Sequence, residues 1–243
     1  MPSKQDTPTT RFWYTRTGGS NPHSFATKLV LLPQRQQERY HAIKSAPRKK
    51  QYLYSRLLIC SALSQLYRQP TTSWDIEDST QASPFIHNLS STCHTSLSHS
   101  HDLICFALST AQVGVDVELM KARRNFKQLA ELFMSEDELQ RLPKDKNEGN
   151  TYFYRLWCAK EALYKALPVQ EQASTSLASI SYHALLDQES PWQLNEYIVD
   201  DYRVAVVNES TAPPAKLIKI FLDLNQDTTF SIKPIPRTYP VQK

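Results

Sequence analysis

Asp102-Leu-Ile-Cys-Phe-Ala-Leu108 and, a few residues on, Val113-Gly-Val-Asp-Val-Glu-Leu119 decide the fold class of this chain. The first segment is a short continuous apolar run and reads as a buried strand. In the second, Val113, Val115 and Val117 alternate with Gly114, Asp116 and Glu118, which is the two-residue period of a strand. Thr110-Ala-Gln112 turns one strand into the other. One face of the second strand is therefore apolar and the other presents two carboxylates, roughly 7 Å apart along the strand.

Outward from this pair the chain alternates helices and strands. Upstream, Thr27-Lys-Leu-Val-Leu-Leu32 reads as a first strand ended by Pro33. Helix is expected from Gln34 to about Tyr67, with a new start near Pro47, since proline suits a first turn better than a helix interior. Leu53, Leu57, Leu58, Leu63 and Leu66 give that second helix an apolar face. Short extended pieces are expected at 74–77 and 84–86. Downstream, helices dominate from about Asn125 to Leu167, with Ser135-Glu-Asp-Glu138 as a capping box. The longest runs from about Thr151 to Leu167 and stops before Pro168. Four strands follow, near 179–185, 192–199, 202–207 and 216–221, before a proline-bearing tail. The fold class is α+β. The layout permits two similar α/β lobes in one chain, related by a pseudo-two-fold axis. The expected divisions are a polar segment at 1–26, a lobe at 27–110, a lobe carrying the acidic strand at 111–225, and a loose tail at 226–243.

The chain has 243 residues, 40% of them hydrophobic and 21% charged, which suits a globular core and not a disordered chain. A net charge of +4 suits a polyanionic ligand or an acidic partner without specifying either. The start lacks the basic-then-apolar layout of a signal peptide, and no apolar run spans a bilayer. Four cysteines without paired spacing point to free thiols and a cytoplasmic home.

Three segments carry chemistry: Ser96-Leu-Ser-His-Ser100, Gly114-Val-Asp-Val-Glu118 and Trp157-Cys-Ala-Lys-Glu-Ala-Leu-Tyr-Lys165. Asp116 and Glu118 suit solvent as well as a cation, though paired acids repel unless a cation lies between them. Oxygen ligands of this kind suit magnesium, which keeps sites for water and phosphate. On the long helix Trp157, Glu161 and Lys165 fall on one stripe, with Lys160 about 100° round from Glu161. His99 sits in a serine-rich loop able to face an anion. His87, His94, His99 and His101 gather near Cys93, but their spacing matches no familiar zinc pattern.

Taken in order, these segments resemble the single-chain, pseudodimeric phosphopantetheinyl transferases that activate nonribosomal peptide and polyketide synthases. The resemblance extends, more weakly, from about Leu29 to Val207. It implies transfer of the 4'-phosphopantetheine arm of coenzyme A (CoA) to a serine of an acyl or peptidyl carrier protein, releasing 3',5'-ADP. By similarity, Asp116, Glu118 and Glu161 would hold Mg2+, with Glu118 acting directly or through water. Glu161 would also be the base for the carrier serine, and Lys165 would stabilise the leaving group. Arg56, Ser98, His99, Lys160 and Lys165 would contact CoA phosphates, with Arg48 and Lys49 as further cations. The family's Gly-Lys-Pro segment is replaced by Ala82-Ser83-Pro84, so a phosphate-binding lysine is missing. The basic segment Met120–Lys127 would face an acidic carrier. A non-catalytic CoA- or carrier-binding relative is the alternative that loss of an acid would have favoured. A nucleic-acid-binding domain has only the net charge in its favour. A monomer is expected.

Overall fold

The strands read at 102–108 and 113–119 lie in two different sheets. In the computed structural model, which describes residues 9–17, 22–79, 83–121, 126–187, 190–209, 216–224 and 233–234, the chain runs as follows. Strand β1 (Thr9–Arg16) precedes helices α1 (Pro22–Leu29), α2 (Gln34–Ala42) and α3 (Ala46–Tyr67). A small pair of strands, β2 (Ile76–Glu77) and β3 (Phe85–Ile86), leads to β4 (His94–Ser100), β5 (Leu103–Ser109) and β6 (Val113–Leu119). Helices α4 (Phe126–Ala130), α5 (Glu136–Gln140), α6 (Lys146–Ala166), α7 (Val169–Gln172) and α8 (Tyr182–Leu186) follow. Strands β7 (Trp192–Val199), β8 (Tyr202–Glu209), β9 (Lys216–Phe221) and β10 (Lys233–Pro234) close the chain.

One sheet has the order β10-β9-β1-β5-β4 and another the order β6-β8-β7. The architecture is mixed α+β with several sheets. The turn at 110–112 therefore carries the chain from the first sheet to the second without closing a hairpin. The edge strands β4 and β6 meet through serine hydroxyls. Ser96 Oγ accepts the Val115 amide at 3.0 Å, and Ser100 Oγ accepts the Leu119 amide at 3.2 Å. The partner advances from 115 to 119 as the serine advances from 96 to 100, so the two strands run in the same direction. Phe12, Tyr14, Leu103 and Cys105 share a core with Val113, Val115, Val117, Val204 and Val206, which joins the sheets beneath this seam.

Each sheet carries one long helix. The 22-residue α3 packs on β1 and β5 and is buried continuously from Leu53 to Leu63. Pro47 sits in its first turn and Arg68 ends it in a left-handed conformation (φ 56°). The 21-residue α6 packs on β6 and β8. Asp145 caps it by accepting the amides of Asn147 and Glu148, and Pro168 prevents its continuation past Leu167.

Several expectations are corrected. The stretch 27–32 is the end of helix α1 and a turn, with Leu29 and Leu32 buried while Val30 and Leu31 are exposed. That three-residue burial spacing is helical. Strand β1 lies inside the segment read as polar; it pairs with β5 on one side and β9 on the other, and burial of Phe12 and Trp13 on opposite faces explains its aromatic run. Strand β9, assigned to the second lobe, joins the first sheet. The stretch 179–185 is a helical turn at Leu177–Ser179 followed by α8, which Ser181 caps. Ser96–Ser100, read as a loop, is strand β4. Of the tail, Lys233–Pro234 pair with β9, and the rest lies outside the described residues.

Gly114 is where α6 touches β6. A Cβ there would stand 1.8 Å from the Ala162 carbonyl oxygen and 2.7 Å from the Ala166 amide nitrogen, both backbone atoms. Gly114→Ala is therefore expected to cost about 3 kcal/mol, because the helix must move off the strand. A calorimetric scan should show the melting temperature falling by roughly 6–12 °C.

Candidate active site

The acidic face of β6 is covered by α6, so it is not a solvated strand face. Asp116 is buried at 4% exposure, while Glu118 is half-buried near the strand's end. Asp116 Oδ1 accepts from Lys165 Nζ at 2.6 Å and from Ser98 Oγ at 2.9 Å, and Lys165 also donates to Ser98 Oγ at 3.2 Å. Its Oδ2 is buried without a hydrogen-bond partner. Glu118 accepts from Ser100 Oγ at 3.2 Å. Glu161 lies one turn before Lys165 on α6 and is half-buried. Together Asp116, Glu118, Glu161, Lys165, Ser98 and His99 line a cleft of about 540 Å³ at the junction of the two sheets.

Electrostatics follow from this crowding. Burial, then the Asp116 charge, raises the Glu161 carboxyl above its ordinary value against the lowering effect of Lys165. Burial would lower the Lys165 ammonium, but Asp116 and then Glu161 outweigh it and raise it. Burial in the cleft, with the Lys165 charge, holds the His99 imidazole below its ordinary value. Burial and then Asp116 push the Cys105 and Cys158 thiols well up, which keeps both protonated and poor nucleophiles.

The cleft continues into a second pocket of about 590 Å³, sharing Arg56, Leu97 and His99 with the first. Arg39, Lys44 and Arg48 add cations there. Arg56 Nε and Nη2 donate to Asp78 Oδ1 at 3.1 and 2.6 Å, and its guanidinium lies 4.7 Å from the Tyr52 ring centroid. One end of the cleft is thus acidic and the other basic, which suits a ligand with both metal-bound and free phosphates.

The donor set fits a hard cation. Among the described residues no group of three or more His, Cys, Asp or Glu side chains is drawn close enough to hold a metal ion by itself. Three carboxylates nevertheless line one cleft, and one buried carboxylate oxygen has no partner. An all-oxygen, incomplete set is what magnesium takes when water and phosphate complete its shell.

The structure brings Arg56, Ser98, His99, Asp116, Glu118, Glu161 and Lys165 into one cleft and leaves Lys160 out of it. Lys160 is fully buried, donating to Glu138 Oε2 at 2.5 Å, to the Phe133 carbonyl at 2.9 Å and to the Leu177 carbonyl at 3.1 Å. The 100° rotation from Glu161 aims it at the helix-packing core, so it is an internal ion pair and not a phosphate ligand. Of the two cations upstream of Arg56, Arg48 lines the basic pocket, while Lys49 lies over the Tyr40 ring. Ser83 lines the cleft, and its Oγ accepts the Leu97 amide at 3.0 Å; Ala82 lies outside the described residues. Arg39 and Lys44 were missed, although they belong to a visibly cation-rich stretch from Arg35 to Lys50.

Residues 112–207 match the family model described as the 4'-phosphopantetheinyl transferase superfamily. 4'-Phosphopantetheinyl transferase Sfp of Bacillus subtilis is 32% identical over 169 residues, covering 63% of this chain and 71% of that protein. The chain belongs to this family. The transferase psf-1 of Bacillus pumilus is 30% identical over 66% of this chain and 71% of its own. The transferase HetI of Nostoc is 32% identical over 46% of this chain and 49% of its own. The matched region of the family model contains the acidic strand β6 and the whole of α6.

For this phosphopantetheinyl transferase, the relocation of Lys160 has a measurable consequence. Lys160→Met strands the buried Glu138 carboxylate and is expected to lower stability by about 3–5 kcal/mol. Urea unfolding should show the loss in its midpoint, while the KM for CoA of the folded variant stays within about twofold of wild type.

Proposed function

We propose that this chain transfers the 4'-phosphopantetheine arm of CoA to the serine hydroxyl of an apo carrier protein, giving holo carrier and 3',5'-ADP. Such transfer is the activity of the family to which it belongs. The observation that carries the reading is the placement of Asp116, Glu118, Glu161 and Lys165 around one cleft that continues into a cationic pocket.

The residues divide the work. Arg56, Arg48, Arg39 and Lys44, with His99, hold the nucleotide's phosphates, and Asp78 keeps the Arg56 fork in place. Asp116, Glu118 and Glu161 would hold a magnesium ion, which would supply positive charge to the diphosphate oxygens. Glu161, whose carboxyl burial raises above its ordinary value, takes the serine proton as the hydroxyl oxygen bonds to the transferred phosphorus. The bond from that phosphorus to the bridging oxygen breaks, and Lys165 steadies the charge left on 3',5'-ADP. Ser98 aligns Lys165 and Asp116 by contacting both.

The carrier docks beside the metal strand in this reading. An apolar pocket of about 250 Å³, lined by Leu129, Leu132, Phe133 and Trp157, opens next to Glu118, with Leu132 76% exposed. The basic segment 120–127 assigned to this contact lies outside the described residues at 122–125. We also read the two helix-covered sheets as pseudo-two-fold halves, on the support of one long helix per sheet. No helix among the described residues is long and apolar enough to cross a membrane. The four cysteines are free, which supports a reducing, cytoplasmic setting. The cations gather in a concave pocket, which favours a small polyanion over nucleic acid.

Incubating the protein with CoA, magnesium and an apo carrier should add the arm to the carrier, seen by mass spectrometry. Glu161→Gln is expected to lower kcat at least about 100-fold, since it removes both base and ligand. A variant of full activity would refute that role. Arg48→Ala or Arg56→Ala should raise KM for CoA about tenfold with a smaller change in kcat, as expected for lost phosphate contacts.

A further inference from the structure

The carboxylate best placed to hold a cation already has one against it. Asp116 Oδ1 is taken by Lys165 and Ser98, and Oδ2 is buried with no partner. Lys165 and Ser98 also contact each other, so the three side chains form a closed triangle. Glu161 makes no hydrogen bond or ion pair to a described residue, and the three acids do not converge into a ligand cluster.

A metal ion arriving at Asp116 is repelled by the Lys165 ammonium already there, and in a partly buried cleft that repulsion is poorly screened. The ion binds best when one of the two cations moves off. The Lys165 side chain is 30% exposed against 6% for Asp116, and it has a flexible four-carbon stem while Asp116 is fixed on a central part of β6. Lys165 is the group able to move. It lines both the acidic cleft and a neighbouring pocket of about 740 Å³, so space exists for the shift.

We propose that Lys165 stands in for the metal at Asp116 until a phosphate of CoA draws it away, so that the metal site is assembled by the substrate. This rests on the transferase reading above. Two properties follow. Without CoA the protein binds divalent metal weakly, because the ion must displace Lys165 with nothing to receive it. With CoA bound, the phosphate receives Lys165, Asp116 is released, and metal binding tightens; by reciprocity metal tightens CoA. Loading metal and substrate together keeps the protein from holding a metal with no diphosphate to act on.

The test is Mn2+ binding, read by electron paramagnetic resonance of the free ion, with no carrier present so that nothing turns over. CoA tightens Mn2+ binding for any site it helps to coordinate, so the decisive comparison is made without CoA. Lys165→Gln, which removes the competing charge, is expected to bind Mn2+ at least about tenfold more tightly than wild type, within the usual range of coupling between sites. Lys165→Arg keeps a cation and should remain as weak as wild type. Adding Asp116→Asn to Lys165→Gln should abolish the gain. Lys165→Met provides a second neutral side chain if the glutamine variant melts below the assay temperature. Neutral variants that bind Mn2+ no better than wild type would overturn the proposal while leaving the transferase reading intact. Wild type that binds no Mn2+ even with CoA would instead count against the metal-dependent transferase reading itself.

Discussion

Helix α6 rests on strand β6 with no side chain between them at Gly114, and the candidate active site depends on that contact. The backbone atoms nearest Gly114 belong to Ala162 and Ala166. The residues immediately before them are Glu161 and Lys165. The strand residue two beyond Gly114, on the same side of the pleat, is Asp116. One close approach therefore sets the distance between the helix's functional pair and the strand's first acid. The 2.6 Å contact of Lys165 with Asp116 is its direct product. A larger residue at 114 would lift the helix and separate the acids, whatever their identity.

The second constraint is the serine seam. Ser96, Ser98 and Ser100 point from β4 to β6, and each does something different. Ser96 accepts a backbone amide, Ser98 donates to Asp116, and Ser100 accepts an amide while donating to Glu118. Both edge strands are covered by this arrangement, which removes two edges that would otherwise invite association. The site thus stands where two sheets meet, with Arg56 of α3 lining the same cleft as the acids of β6.

Much of this was legible. The Val-Gly-Val-Asp-Val-Glu alternation placed Asp116 and Glu118, and the i, i+4 spacing aligned Glu161 with Lys165. The aromatic run Phe12-Trp-Tyr14 was lost among polar neighbours, and burial on both strand faces is a tertiary property. Stretch 27–32 failed because a short apolar run carries no period of its own. Lys160 failed for a different reason. A lysine beside a functional glutamate reads as part of the same site, and only packing reveals that Glu138 waits for it on the other side of the helix. The capping-box glutamate was visible at 135–138, but its second task, accepting from Lys160 and from the Tyr182 amide, was not.

The contrast between the two lysines of α6 explains where the protein stores its reactivity. Lys160 spends all three donors on Glu138 and two carbonyls, and it is sealed from water. Nothing there is left for a ligand. Lys165 is half-open, and the carboxylate it contacts retains an oxygen with no partner. A buried polar atom left unsatisfied costs about 1–3 kcal/mol, more for a charged group. The fold tolerates that cost at Asp116 because α6 is held elsewhere, against β6 by the Gly114 contact and against α5 by the internal ion pair. The satisfied pair thus anchors the helix that keeps the unsatisfied one in place beside the strand.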